Sequence, residues 1–323
     1  MTKANEIRKI IDEGRNFLVV SHANPEGDAA GSSLALHLTL KAMGKKSALY
    51  NKDGFPKNFS FLPGFKECSR EAPEERFDAT MVVDCGDEEL IGIRVTGESR
   101  FGKIINIDHH RTNTNFGDIR FIEPQASAAG EVLFHLFSEA GIGISREAAI
   151  CLYTAIHTDS GSFRYANTTS ETHRVVSELL KLGVKPDRVA EGLYEAIPAG
   201  RLRLMGRVFE TLDFAVEGRA ASTHVTLKML EETGSKKDAV EGFINYVNSI
   251  EGVLVAVMFR ETEEGFFKVS FRSRRGVDVS KIASVFGGGG HYNAAGCKLT
   301  GKLEDVKKTV YGILEKELKA YHP

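Results

Sequence analysis

Three apolar runs in the first half of the sequence each stop on side chains that can hold a metal ion or move a proton. Ile104-Ile105-Asn106-Ile107 runs into Asp108-His109-His110, and Asn16-Phe17-Leu18-Val19-Val20-Ser21 runs into His22-Ala23-Asn24-Pro25-Glu26-Gly27-Asp28. Ala79-Thr80-Met81-Val82-Val83 ends on Asp84, and a helical stretch leads into Thr158-Asp159-Ser160-Gly161. Each alone has an ordinary reading: a strand followed by a solvated turn, a mixed polar loop, or an Asp capping the next element. Together His22, Glu26, Asp28, Asp84, His109 and Asp159 offer four carboxylates and two imidazoles. Packing so many acids around one point without counter-charge is costly, and divalent cations resolve the cost. Six such donors without a thiolate exceed what one ion takes from a protein, which points to two ions sharing a bridging carboxylate. The mixed imidazole and carboxylate set suits manganese best, with magnesium, cobalt and zinc also compatible. Two ions about 3.5–4 Å apart activate a bridging water and clamp an in-line displacement at phosphorus, so phosphoester hydrolysis is the natural reaction.

The elements that must position these groups read as alternating strands and helices. A helix over 5–14 precedes the strand at 16–21. Pro25 and Gly27 keep the next loop non-helical, and a helix covers about 29–43. Strands at 47–50, 79–84 and 104–107 follow, with an aromatic loop-rich connection over 53–73, then helices at 127–140, 146–157 and 170–182, the last stopped by Gly183. Strand–helix alternation predicts a doubly wound, mostly parallel α/β sheet, whose ligands bind at the C-terminal ends of the strands. Residues 186–214 read as a helical, Arg- and Leu-rich connector broken at Pro198 and Gly200. Strands at 220–227, 252–261 and 266–272 and helices at 236–248, 279–286 and 303–322 then predict a smaller α/β domain with a mixed sheet. In it Phe271-Arg272-Ser273-Arg274-Arg275 closes a strand, and Gly287-Gly288-Gly289-Gly290-His291 is followed by Ala294-Ala295-Gly296. A glycine run alone fits a flexible surface loop; with His291 and the arginines beside it, it fits a phosphate or nucleotide cradle built from backbone N–H groups and guanidinium.

Composition bounds the rest. The chain has 323 residues, long enough for two domains, with 42% hydrophobic and 27% charged residues as in soluble globular proteins. No apolar run approaches the roughly 20 residues of a membrane span, and the N-terminal residues lack a secretory signal core, so a cytoplasmic location and no membrane partner are expected. Cys68, Cys85, Cys151 and Cys297 form no Cys-x-x-Cys pair and read as reduced, buried small hydrophobes. A formal net charge of -2 does not suit a protein that coats long nucleic acid, but it allows a short anionic ligand held by a few local cations.

The ordered set of motifs resembles the DHH phosphoesterases with a DHH-associated C-terminal domain, and in particular their oligoribonuclease (nanoRNase) and pAp phosphatase subfamily. The likeness runs from His22–Asp28 through Asp84, Asp108–His110 and Thr158–Gly161 to Gly287–Gly296, nearly the whole chain. It implies a DHH domain at 1–185, the helical linker at 186–214 and a substrate-binding domain at 215–323, with the active site in the cleft between the domains. It also implies a two-manganese site: one ion on His22, Glu26 and Asp84, the other on Asp28, Asp84, His109 and Asp159, with Asp84 bridging. His110 would face the scissile phosphate, Asp108 would orient the cluster, and Arg272, Ser273, Gly287, Gly288, Gly289, Gly290 and His291 would hold the substrate. The family usually has Asp where this chain has Glu26, one methylene longer, which bears on the affinity of the first ion. The implied activity is hydrolysis of short single-stranded RNA oligonucleotides to mononucleotides and dephosphorylation of pAp (3′-phosphoadenosine 5′-phosphate) by a two-metal-activated hydroxide. A homodimer is compatible with it. Rival readings are a phosphodiesterase for cyclic dinucleotides or linear pApA and pGpG, and a nucleotide-binding regulator without catalysis.

Overall fold

In the computed structural model, residues 2–195, 197–274 and 276–319 are described. The chain forms two compact units, one up to residue 196 and one from 197 onward. Residues 186–214, read from the sequence as a connector, are shared between them: Val189 packs into the core of the first unit, and Leu204 and Val208 into a core of the second. Among the described residues no helix is long and apolar enough to cross a membrane.

The first unit contains strands β1 (Asn16–Val20), β2 (Lys46–Tyr50), β3 (Cys68–Ser69), β4 (Ala79–Val83), β5 (Lys103–Asp108) and β6 (Ile119–Ile122). Its helices are α1 (Lys3–Glu13), α2 (Gly27–Ala42), α3 (Ala129–Glu139), α4 (Arg146–Asp159), α5 (Ser170–Lys181) and α6 (Pro186–Ala190). The strands form one sheet in the order β3-β2-β1-β4-β5-β6, parallel throughout. Strand periodicity divides β1 between two cores: Phe17 and Val19 join the one that α1 to α5 pack on, while Leu18 and Val20 join Val82, Ile91 and Phe101 on the other face. That second face is covered by the β4–β5 crossover, which is built of short 3-10 turns instead of long helices. Both faces being buried explains the continuous apolar strands. The strands β3 and β6, absent from the sequence reading, are short edge strands with too few residues to show a period.

Small residues let α2, α3 and α4 approach closely. A Cβ at Gly31 would sit 2.5 Å from the Cys151 carbonyl oxygen, and one at Gly130 would sit 2.7 Å from Ala155 Cβ. This contact brings the N-terminus of α2 and the C-terminus of α4 to the same end of the sheet.

The second unit contains α7 (Ala199–Phe209), β7 (Asp213–Ala215), β8 (Ala220–Val225), α8 (Leu227–Glu232), α9 (Phe243–Asn248) and β9 (Val255–Glu263). β10 (Phe266–Ser273), α10 (Val279–Val285), β11 (Gly289–His291), β12 (Ala294–Thr300) and α11 (Leu303–Lys319) complete it. Its sheet runs β11-β12-β10-β9-β8-β7 and is mixed, with only β8–β9 parallel. Val255, Val257 and Phe259 of β9 face the core shared with α10 and α11, and Ala256 and Met258 face the core shared with α7 and α9. The helix expected over 236–248 is two pieces, because Gly242 adopts a φ of 81° between a 3-10 turn and α9.

Candidate metal centre

The order of the first sheet reverses direction between β1 and β4, the position where open α/β sheets hold ligands. His22 and Asp84 leave the two strands at that switch point, and Asp108, His109 and His110 leave the next strand, β5. Asp28 enters from the first turn of α2, and Asp159 is the last residue of α4, which runs two residues beyond the end at 157 expected from the sequence. Asp84 takes a left-handed backbone with φ 54°, a conformation that costs roughly 1–3 kcal/mol for a residue other than glycine and here turns its carboxylate across the strand ends.

Asp84 lies at the centre. Its Oδ2 is 3.5 Å from His22 Nε2, and its Oδ1 is 3.6 Å from His109 Nε2 and 3.8 Å from His110 Nδ1. His109 Nε2 is also 3.6 Å from Asp28 Oδ2 and 3.8 Å from Asp159 Oδ2. The donor atoms of Asp28, His109 and Asp159 all lie within 4.8 Å of one another, as do those of Asp84, His109 and His110. The imidazoles are held in one orientation: His22 Nδ1 donates to the Ala23 carbonyl at 2.7 Å and His109 Nδ1 to the Ala126 carbonyl at 3.3 Å. With Nδ1 carrying the hydrogen, the Nε2 lone pair of each ring is left for a cation, the arrangement seen for metal-bound histidines. His110 differs, because its Nδ1 donates to Asp108 Oδ1 at 2.7 Å and has no lone pair to offer. Through that atom it is not a metal ligand. Glu26 is the exposed residue preceding α2 and makes no capping hydrogen bond, so the structure leaves its carboxylate outside the two close donor groups.

Electrostatics show what this cluster lacks. Burial pushes the Asp28 carboxyl up to about 8, helped by the Asp84 charge, and burial also lifts Asp159 to about 6. Burial opposes charge on the imidazoles as well, but Asp84 outweighs it, raising His22 to about 9 and, with Asp28 and Asp159, His109 to about 10. Asp84 itself is held below the usual carboxylate range, burial being overcome by the two imidazoles. The Asp108 hydrogen bond raises His110 against burial. In the bare protein, bound protons supply the positive charge that the acids demand. Asp84 Oδ1 is buried and has no hydrogen-bond partner among the described residues, an acceptor for which a cation is the fitting partner. The donor set therefore fits divalent metal.

Several supporting residues escaped the sequence reading. Asp28 accepts hydrogen bonds from the Ala129 and Gly130 amides at 2.6 and 3.1 Å and from Ser32 Oγ at 2.7 Å, so the N-terminus of α3 holds a carboxylate of α2. Asn113 Nδ2 donates to Asp108 Oδ2 at 2.5 Å, completing the carboxylate that orients His110. Asn51, fully buried, donates to the His22 carbonyl at 2.8 Å and to Ser21 Oγ at 3.0 Å. A signal for it existed: Asn51 directly follows a strand, just as Asp84 does.

In the second unit, Arg272 and Ser273 end β10. The Arg272 guanidinium is half-buried, with desolvation lowering its pKa, and among the described residues its one hydrogen bond goes to the Phe271 carbonyl at 3.0 Å. Ser273 Oγ donates to the Val277 carbonyl at 2.6 Å. The glycine run is more ordered than a loop. Gly287 and Gly288 donate their amides to the Ser284 and Ala283 carbonyls at 3.0 Å and close α10, so those two N–H groups are not free for a phosphate. Gly289 and Gly290 form the edge strand β11 in a hairpin with β12. Gly290 has a φ of 144° and packs against Ala294 and Ala295, which leaves no room for a side chain. His291 ends β11, and its side chain and Arg275 lie outside the described residues.

A switch-point cluster of imidazole and carboxylate donors defines a candidate metal-dependent enzyme on a parallel α/β sheet, and comparison with known proteins places the chain more narrowly. Residues 16–156 match the model of the DHH family, N-terminal domain, and residues 222–316 match that of the DHHA1 domain. The chain is 38% identical over 301 residues to the bifunctional oligoribonuclease and PAP phosphatase NrnA of Thermus thermophilus, covering 93% of this chain and 89% of that protein. It is 27% identical over 300 residues to the NrnA of Bacillus subtilis, covering 91% and 92%. An exopolyphosphatase-related protein from Bacteroides fragilis superimposes with a TM-score of 0.87 at 29% identity, covering 97% of this chain and 96% of that one. RecJ of Thermus thermophilus, solved in complex with Mn2+, shares the fold at a TM-score of 0.52 and 12% identity, with this chain spanning 55% of it. The chain belongs to the DHH family, with a DHHA1 domain following its DHH domain.

Proposed function

We propose that this protein is a metal-dependent phosphoesterase that hydrolyses short RNA oligonucleotides to mononucleotides and dephosphorylates pAp, in the cytoplasm. The observation that carries this reading is the convergence of Asp84 with His22 and His109, and of His109 with Asp28 and Asp159, at the switch point of the sheet. The names of the relatives, which match over most of the chain, support the choice of substrates.

In this reading His22, Glu26 and Asp84 would hold one divalent ion and Asp28, Asp84, His109 and Asp159 the other, with Asp84 common to both sets; the donor chemistry favours manganese, with magnesium or cobalt as alternatives. When bound, such a pair lowers the pKa of an attacking water and neutralises the phosphate. His110, oriented by the hydrogen bond from its Nδ1 to Asp108, which also raises its pKa, would give the proton on Nε2 to the departing ribose oxygen as the P–O bond to it breaks and the water oxygen bonds to phosphorus, the water's proton passing to solvent. Arg272 supplies a guanidinium without a carboxylate partner among the described residues, which suits a non-scissile phosphate. Ser273, Gly287, Gly288, Gly289, Gly290 and His291 complete the assigned substrate-binding set. For Gly289 and Gly290 this means close approach along the edge strand β11, whereas Gly287 and Gly288 would line the site without offering their amides, which close α10.

The test is product analysis with Mn2+, offering 5′-labelled RNAs of two to five nucleotides, pAp and a cyclic dinucleotide, with a chelator control. Chelator-sensitive conversion of the RNAs and pAp is expected. Turnover of the cyclic or linear dinucleotide alone would move the protein to second-messenger degradation, and no turnover would leave a nucleotide-binding protein.

A further inference from the structure

Three members of the cluster, Asp28, His109 and Asp159, come from α2, the end of β5 and the end of α4, and one loop touches the supports of all of them. This loop, 126–130 with the first two residues of α3 included, offers the Ala126 carbonyl to His109 Nδ1 at 3.3 Å and the Ala129 and Gly130 amides to the Asp28 carboxylate at 2.6 and 3.1 Å. Asn167 ties the third member to the same loop. Its Nδ2 donates to the Ser127 carbonyl at 2.9 Å and to the Asp159 carbonyl at 3.2 Å, with Asp159 Oδ2 at 3.5 Å. The inner side of the loop is pinned in turn: Ser127 N and Oγ donate to buried Glu131 at 3.2 and 2.5 Å, and Thr172 Oγ1 donates to the same oxygen at 3.0 Å.

We infer that Asn167 is a positioning residue whose amide donor clamps Asp159 to the loop 126–130 and so sets the Asp28–His109–Asp159 group for one divalent cation. The inference rests on the reading of that group as a metal site. Donor character is what the geometry demands, because every atom facing Asn167 Nδ2 is a carbonyl or carboxylate oxygen. A flipped amide would put Oδ1 against those oxygens. In the observed orientation Oδ1 is buried without a hydrogen-bond partner among the described residues, a loss that the Nδ2 bonds must offset. This link leaves no trace in the sequence, since Asn167 is 40 residues from Ser127 and sits in a polar stretch without period.

The experiment is calorimetric titration of the chelator-stripped full chain with Mn2+ alone, for wild type, Asn167→Ala and Asn167→Asp, with a thermal melt of each. The clamp predicts that one Mn2+ step weakens about 10- to 100-fold in both variants, as outer-shell substitutions do, while the other step is unchanged. Asn167→Asp is the discriminating variant: it preserves volume and adds negative charge, so if Asn167 only filled space it would bind Mn2+ as well as wild type or better. That result, or equal weakening of both steps, would overturn the clamp alone. Failure of wild type to take up any Mn2+ would overturn the metal reading and the clamp with it. Should Asn167→Asp fail to fold, Asn167→Ser, which retains a single donor, carries the comparison, with weakening intermediate between wild type and Asn167→Ala expected and wild-type binding refuting the clamp.

Discussion

Asp84→Asn keeps the size of the side chain and deletes one charge at the centre of the cluster. The carboxylate oxygens lie 3.5 Å from His22 Nε2 and 3.6 Å from His109 Nε2. At that separation and an effective dielectric of about 20, one pair of unit charges interacts by about 4.6 kcal/mol. Since about 1.4 kcal/mol is a factor of ten, losing it against even one positive charge amounts to roughly a thousandfold, and a dication loses more. Turnover of pAp and of the RNA dinucleotide at an Mn2+ concentration that saturates wild type should therefore fall by at least about a thousandfold. The ion-free protein gives an independent readout. His109, raised to about 10 chiefly by Asp84 against the effect of burial, should titrate much nearer its ordinary value of 6.5 in the variant, read from imidazole proton shifts by NMR. A raised imidazole pKa stabilises the fold fully below about 6.5, and that contribution fades as pH climbs through about 10. The melting temperature of ion-free Asp84→Asn should accordingly depend less on pH within this window. Near-normal turnover with a full complement of Mn2+, or a His109 pKa that stays near 10, would refute the reasoning.

Metal binding should release protons, because His22 at about 9 and His109 at about 10 carry them at neutral pH and must lose them to ligate. Mn2+ affinity should rise with pH, and the calorimetric heat at pH 7 should change between buffers of different ionisation enthalpy; heats independent of buffer would contradict the assignment of these rings as ligands. Gly31→Val places a side chain 2.5 Å from the Cys151 carbonyl and should destabilise the first unit by about 1–3 kcal/mol, several degrees in a thermal melt. An unchanged melting temperature would mean that α2 and α4 do not pack as closely as described. Arg272→Ala should raise KM for pAp by about tenfold or more with little change in kcat or Mn2+ content, as loss of uniform phosphate binding does; an unchanged KM would remove Arg272 from substrate recognition.

Much of the centre was legible in the sequence because the same physics wrote it there. A strand buried on both faces has to be an apolar run, so the point where β1, β4 or β5 leaves the sheet shows as an abrupt change to His22, Asp84 or Asp108. In a parallel sheet those exits all share one end, and alternating strands and helices therefore imply that such residues meet. The second unit was legible to a lesser degree: β9 and β10 showed their runs, whereas β7 and β11 are only three residues long and β12 presents its alternation through small residues, Ala295 and Cys297, that do not stand out as an apolar run. The glycine run shows where local composition misleads. Its amides at Gly287 and Gly288 close a helix, and whether an N–H is free depends on which carbonyl lies opposite it. What only the tertiary structure decided is the support of the ligands. Ala129 reaches Asp28 across 101 residues and Asn51 reaches the His22 carbonyl across 29. A hydrogen bond between distant segments needs one donor and one acceptor, not a repeating pattern, so it leaves no periodic trace in the chain; it exists only once the cores on the two faces of the sheet have brought the segments together.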